Sequence, residues 1–360
     1  MDDVPVLTAE LPGTGGILRA TPEDFVVDEI AVYPPSGQGD HVFVRIEKRE
    51  LTTPAAIAIL ADALAVDRRD IGAAGMKDRH AVTRQWLSLP PPVTPDQVLA
   101  VTAPGLTVLE ASRHPHKLRT GHLRGNVFRL RLRGVDADAA ARATAILTRL
   151  ATPPGAPNGY GEQRFGRAGD NAGEGLALIR GVARGRRDRR RDRLLVSALQ
   201  ASLFNRWLTA RMADGLYATA IAGDVMHKTG GGMFDSTDPA VDQARLAAGE
   251  VVPTGPMFGH RMRAPAAGSL AAEREAAILA TAGLAVEDFR RVGAIAEGTR
   301  RDAGIVIGAP AVTAADDGSI EVSFTLPSGA YATTIMREVM KIEAAGADPE
   351  PEEPSGPVAR

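Results

Sequence analysis

Apolar and polar residues alternate most regularly over His41–Arg49. There Val42, Val44 and Ile46 share one side of an extended segment, predicting a strand with one solvated face. Phe25-Val-Val-Asp-Glu-Ile follows a Thr-Pro-Glu-Asp turn, and Val82–Leu89 precedes three prolines; both have strand composition. Phe128, Leu130 and Leu132 alternate with Arg129, Arg131 and Arg133, so an extended chain carries three guanidinium groups on one face. Such a face either lines a phosphate track or is an ordinary solvated face of a sheet. Ile320–Leu326 is a further strand, closed by a Pro-Ser-Gly turn. Thr53 followed by Pro54 opens a helix, with a cap hydroxyl and a proline at the first helical position, and the helix ends near Val66. Helical spacing also predicts helices over 135–150, 172–182, 194–212, 271–282, 286–291 and 330–341. Within 194–212, Phe204 and Trp207 are three apart, the spacing of helix packing rather than of a base platform.

A chain of 360 residues is long for one domain and comfortable for two, or for one domain with a large insertion. The breaker cluster Thr152-Pro-Pro-Gly-Ala-Pro marks a domain boundary. Hydrophobic and charged contents of 44% and 24% suit an ordinary globular protein, and no apolar run reaches the ~18 residues of a membrane span. The acidic start Met-Asp-Asp-Val-Pro has neither the basic nor the apolar region of a signal peptide, so a cytoplasmic location is expected. The absence of cysteine excludes disulfides, thiolate metal sites and cysteine catalysis, and seven scattered histidines argue against zinc. The net charge of −2 hides strong clustering. Ala111–Arg133 holds seven Lys or Arg and no acid, and Arg180–Arg193 eight Arg against two Asp. Two basic surfaces of this kind suit phosphate binding. After Ala344 the chain is acidic and Pro-rich, the composition of a disordered tail. Gly223–Gly232 ends in neither a P-loop nor a dinucleotide fingerprint, so no nucleotide cofactor is expected.

The candidate chemistry lies in Gly72-Ala-Ala-Gly-Met-Lys-Asp-Arg-His-Ala-Val-Thr-Arg-Gln-Trp86. Small residues allow a tight backbone, and Asp78 then sits among Lys77, Arg79 and His80, a setting that favours a charged carboxylate. Taken alone, an Asp in a Lys-Asp-Arg triplet is more often a cap on the segment that follows, or a loop ion pair, than a catalytic group. The whole stretch resembles the catalytic loop of the TruD family of tRNA pseudouridine synthases, Gly-x-Lys-Asp-x-x-Ala-x-Thr-x-Gln, with Gly75, Lys77, Asp78, Ala81, Thr83 and Gln85 in register. Five further blocks in family order are Glu23-Asp-Phe-x-Val-x-Glu29, the Lys117–Phe128 segment, Asn158–Gly166, Ser197–Asn205 and Leu326–Glu338.

The resemblance implies an α+β fold. Its catalytic domain is discontinuous, with a mixed or antiparallel sheet and flanking helices (1–156 and 301–343), interrupted by a mainly helical α/β insertion (157–300). An RNA cleft lies between them, and the tail 344–360 is disordered. The implied catalytic residue is Asp78, with Lys77, Phe25, Asn126, Phe128 and Tyr331 binding substrate. Periodicity alone places Phe128 with Leu130 and Leu132, which is also the pattern of a core residue. The implied reaction isomerises a uridine of tRNA, uridine 13 of the D arm in bacterial members, to pseudouridine. It neither adds nor removes atoms or electrons, so it needs no cofactor and no metal. A monomer acting on tRNA, with no membrane partner, is expected. Two other readings remain: an RNA-binding protein without chemistry, and an N-glycosidic hydrolase, which would want a second acidic group that the Asp78 motif lacks.

Overall fold

The computed structural model describes residues 4–166, 169–182 and 188–342. The tail expected over 344–360 lies outside the described residues. In chain order, β1 (Gly15–Leu18), β2 (Phe25–Ala31) and β3 (His41–Arg49) lead into α1 (Thr53–Leu64). Then come β4 (Gly72–Ala73), β5 (Val82–Leu89), α2 (Pro95–Leu99), β6 (Leu106–His114), β7 (Leu123–Val135) and α3 (Ala139–Leu150). The middle of the chain carries β8 (Ala156–Pro157), α4 (Asn171–Arg180), α5 (Arg189–Ala213), β9 (Val225–Lys228), β10 (Met233–Asp235), α6 (Pro239–Ala247), β11 (Val251–Met257), α7 (Leu270–Thr281), β12 (Thr299–Asp302) and β13 (Gly304–Ile305). Last are β14 (Gly308–Ala314), β15 (Ile320–Pro327) and α8 (Ala332–Met340). The α+β class expected from the sequence is the one observed.

The chain forms two compact units. One comprises Gly13–Thr144 with Gly308–Ala332, and the other Ala145–Ile307 with residues 4–12 and 333–342. The first is built on a mixed sheet of order β14-β15-β7-β2-β5-β3-β6, with β1 beside β7 and β4 beside β5. Only β2 and β5 run parallel; the other pairs are antiparallel. Helix α1 covers one face, packing Ala56, Leu60 and Ala61 against Val42, Val44, Ile46 and Leu87. Its cap is Thr52, whose hydroxyl accepts from the N–H of Ala55. Thr53 was the expected cap; it is instead the first helical residue, and its side chain is released for other bonds. The strand β7 continues to Val135, so α3 starts at Ala139 rather than at 135.

The other unit centres on α5, which begins five residues before the expected Leu194 because Asp188 caps it, accepting from the N–H groups of Arg190 and Arg191. Ile179, Leu199, Leu203, Phe258, Leu279 and Phe289 form its main core. Phe204 and Trp207 are buried with ring centroids 5.8 Å apart, as helix packing requires. A small sheet of order β10-β9-β11-β12 completes it. No helix among the described residues is long and apolar enough to cross a membrane.

Candidate active site

The covered face of the large sheet is not uniformly apolar. One cross-strand row reads Phe324, Phe128, Val27, Thr83, Lys48, all buried. The next contains Leu326, Asn126 and Glu29. The strand alternation that buries Phe25, Val27 and Leu130 therefore also buries Glu29, Thr83, Gln85 and Lys48. A band of polar groups inside a sheet core has to be satisfied by something lying on it.

That element is the loop between β4 and β5. It leaves β4 just after Gly72, where a Cβ would stand 2.2 Å from the carbonyl oxygen of Leu118, so no larger residue fits. The N–H of Lys77 donates to Thr53 Oγ1 at 3.0 Å, and that hydroxyl donates to Gln85 Oε1 at 2.8 Å. Lys77 Nζ lies 2.7 Å from Glu29 Oε2, a close ion pair without the alignment of a hydrogen bond. Glu29 Oε1 accepts from the N–H of Trp86. Lys48 Nζ donates to the carbonyl oxygens of Leu51 at 2.6 Å, Lys77 at 3.3 Å and Asp78 at 2.5 Å. Burial pushes the Lys48 ammonium down to about 8, against the attraction of Asp78. One buried cation thus clamps the backbone on both sides of the Lys77–Asp78 peptide.

Held this way, the Asp78 side chain points to Arg19, whose Nη2 donates to Oδ2 at 3.0 Å. The two side chains are 18% and 13% exposed. The Arg19 guanidinium also lies over the Phe25 ring, 3.9 Å from its centroid. Phe25 meets Phe128 edge-on at 6.3 Å, and Phe128 stacks on Phe324 at 5.6 Å. Arg19 takes a left-handed φ of 63°, uncommon for a side-chain-bearing residue. The arrangement is a carboxylate fixed by one guanidinium beside an aromatic shelf.

Of the expected site residues, Asp78, Phe25 and Phe128 come together through Arg19. Lys77 is drawn inward, its buried ammonium paired with Glu29. Glu29, a carboxylate buried on the sheet face, recruits it. Asn126 is half-buried on the Phe128 face, and its buried Oδ1 has no partner among the described residues. Tyr331 is half-buried after the β15 turn, immediately before α8. Arg129, Arg131 and Arg133 point to the opposite face of the sheet. Arg129 pairs with Asp28, Arg133 with Asp24 at 2.8 Å, and Arg131 with Asp317 at 3.8 Å. That is the pattern of a half-exposed, ion-paired face. No cluster of three or more His, Asp or Glu among the described residues could hold a metal ion.

With this geometry in place, comparison with known proteins is decisive. The family model described as tRNA pseudouridine synthase D (TruD) matches residues 3–185 and 186–339. The chain belongs to the TruD family. It is 52% identical over 350 residues to the tRNA pseudouridine synthase D of Anaeromyxobacter dehalogenans, covering 96% of this chain and 98% of that one. It is 40% identical over 356 residues to the protein of the same name from Thermus thermophilus, covering 98% and 97%. The crystal structure of a Methanosarcina mazei chain named for TruD shares the fold with a TM-score of 0.75 at 20% identity, over 94% of this chain and 97% of that one.

Two residues at this TruD site escaped sequence reasoning. Lys48 continues the buried register Val42, Val44, Ile46, and a lysine in an apolar register is a readable signal of a buried cation with fixed partners. Arg19 offers no such signal, since its left-handed backbone and its reach to Asp78 both arise from tertiary structure.

Proposed function

We propose that the chain isomerises a uridine of tRNA to pseudouridine, uridine 13 of the D arm by family likeness, with Asp78 as the carboxylate that acts on the ribose. The reading rests above all on Asp78 being held by Arg19 at 3.0 Å beside Phe25, in a chain of this family. The reaction breaks the C1′–N1 bond, turns the uracil and joins C5 to C1′; the C5 proton leaves and N1 gains one. Asp78 engages the sugar, either by attack at C1′ or by taking the C2′ proton, and both roles require an ionised carboxylate in contact with the ribose. Phe25 and Phe128 offer apolar surface against which a detached base is kept from diffusing away, and Asn126 Oδ1 is an acceptor for a base-edge N–H. Tyr331 is read as a further aromatic against the uracil. Lys77 serves the site by anchoring its loop to Glu29 rather than by touching the nucleotide.

The target nucleotide is flipped out of its stack, at a cost of about a few kcal/mol that backbone contacts offset. Segments 1–156 and 301–343 are read as one catalytic domain and 157–300 as its insertion. The protein is read as a cytoplasmic monomer needing no cofactor, since the isomerisation is redox-neutral.

The test is tritium release from unmodified tRNA labelled at uracil C5, with wild type and Asp78→Asn. Release by the wild type that is abolished in a variant still binding tRNA supports the reading. A folded wild type that releases nothing from any tRNA pool leaves an RNA-binding protein, and free uracil among the products leaves a hydrolase.

A further inference from the structure

The inserted unit carries a cleft of about 630 Å³ where the start of α5 meets the end of α4 and the 3-10 stretch Val286–Ala296. Arg189, Arg190, Arg193 and Arg291 line it, together with a single carboxylate among the lining residues, the largely buried Asp192. All four arginines are exposed. Nearby arginines are already engaged: Arg191 pairs with Glu174 at 3.2 Å, and Arg180 donates to the carbonyl of Ala282. By contrast Arg189, Arg190 and Arg193 have no carboxylate partner among the described residues, and Arg291 spends one N–H on the carbonyl of Arg180.

This arrangement works against the stability of the free protein. Arg189 and Arg193 are four apart on one helix, a repelling pair, and all three helix arginines sit at the positive end of the α5 dipole. A bound polyanion adds attractions to each arginine and to the helix N-terminus that offset these repulsions. The remaining lining is apolar, with Leu178, Val292 and Ile295, and the cleft is far larger than one phosphate group. It suits a run of sugar–phosphate backbone, whose phosphates meet guanidinium forks while the sugars rest on apolar surface.

We propose that this arginine-lined cleft of the inserted unit is a binding site for the RNA sugar–phosphate backbone. The inference deepens the proposed function, because it rests on tRNA being the substrate, and it names contacts distant in sequence from Asp78. They are sequence-independent contacts that hold the RNA while a base is flipped elsewhere.

The test is tRNA affinity measured over a range of KCl concentrations for wild type, the triple variant Arg189→Ala/Arg190→Ala/Arg193→Ala, and the triple Arg→Lys variant at the same positions. Loss of three phosphate contacts makes the slope of log K against log [salt] shallower by about 2 to 3, while the lysine variant keeps most of the slope. Turnover at saturating tRNA stays near wild type, so the defect appears in KM. If the triple alanine variant does not fold, Arg193→Gln alone is expected to lower the slope by roughly 0.7–0.9. Wild-type affinity and slope in a folded variant would overturn the proposal. So would competition by inorganic phosphate for the cleft with tRNA affinity insensitive to the substitutions, which marks a small-anion site. Wild-type tritium release, read on the same preparations, separates failure of this proposal from failure of the isomerase reading.

Discussion

Lys77 Nζ lies 2.7 Å from Glu29 Oε2, with the two side chains 5% and 1% exposed, so the lysine next to Asp78 in sequence is paired with a buried carboxylate of the sheet. The pair ties the Asp78 loop to β2 from within the core. Removing one member leaves the other charge buried and uncompensated. Glu29→Gln is nearly isosteric and is expected to destabilise the protein by about 3–5 kcal/mol in urea unfolding. Lys77→Met combined with Glu29→Gln should be less destabilising than either single change. A double variant as damaged as the sum of its parts would show that the two residues act independently.

Arg19 holds Asp78 Oδ2 at 3.0 Å and covers Phe25 at 3.9 Å. Arg19→Met retains length and apolar contact but leaves the carboxylate without this donor. A hydrogen bond to a charged group contributes roughly 1.5–3 kcal/mol, so kcat should fall about ten- to a hundredfold with a smaller change in KM. An unchanged kcat would mean that Asp78 is oriented by other groups.

The strands β3, β7 and β15 were legible because each buries one face of the sheet and alternates over most of its length, β2 and β5 through their strand composition, and the Asp78 loop through its motif. The edge strand β14, Gly308–Ala314, was not, because most of its residues are exposed and nothing forces a pattern on them. Strand β6 fails likewise, with polar residues at both registers. Around Asp78 the identity of the loop could be read, but its wiring could not. Which cation reaches the carboxylate depends on Glu29 capturing Lys77 and on a left-handed Arg19, and both are properties of packing. The exchange of Thr53 for Thr52 at the α1 cap has the same origin: the Thr53 hydroxyl is taken by Lys77 and Gln85.

The arginine face of β7 gives a contrast. Arg131 and Arg133 share Asp317, and their side chains are 37% and 39% exposed, on the side of the sheet away from Asp78. Exposed pairs of this kind contribute about 0–1 kcal/mol. Arg131→Ala should therefore leave stability and tRNA affinity within about twofold of wild type, with an unaltered salt slope. A slope shallower by about one would make this face part of the RNA surface after all.

Lys48 couples the site to pH. Its ammonium is fully buried, pushed down to about 8 by that burial, and supplies three donors to the carbonyls of Leu51, Lys77 and Asp78. Once deprotonated, the amine has two N–H groups and a lone pair, so one carbonyl loses its donor and the loop carrying Asp78 is held less firmly. Activity should fall as pH rises through about 8. Stability should move the other way. The folded pKa lies below the unfolded value of about 10.4, so between the two the unfolded chain binds more protons, and this group's contribution to stability increases with pH. Activity lost above pH 8 while urea unfolding shows no loss of stability would be the signature of loop positioning. Lys48→Met leaves the three carbonyls without this donor. It should lower kcat at every pH and remove the Lys48-dependent limb from the rate profile, whereas a variant that keeps the wild-type limb would assign that titration to another group.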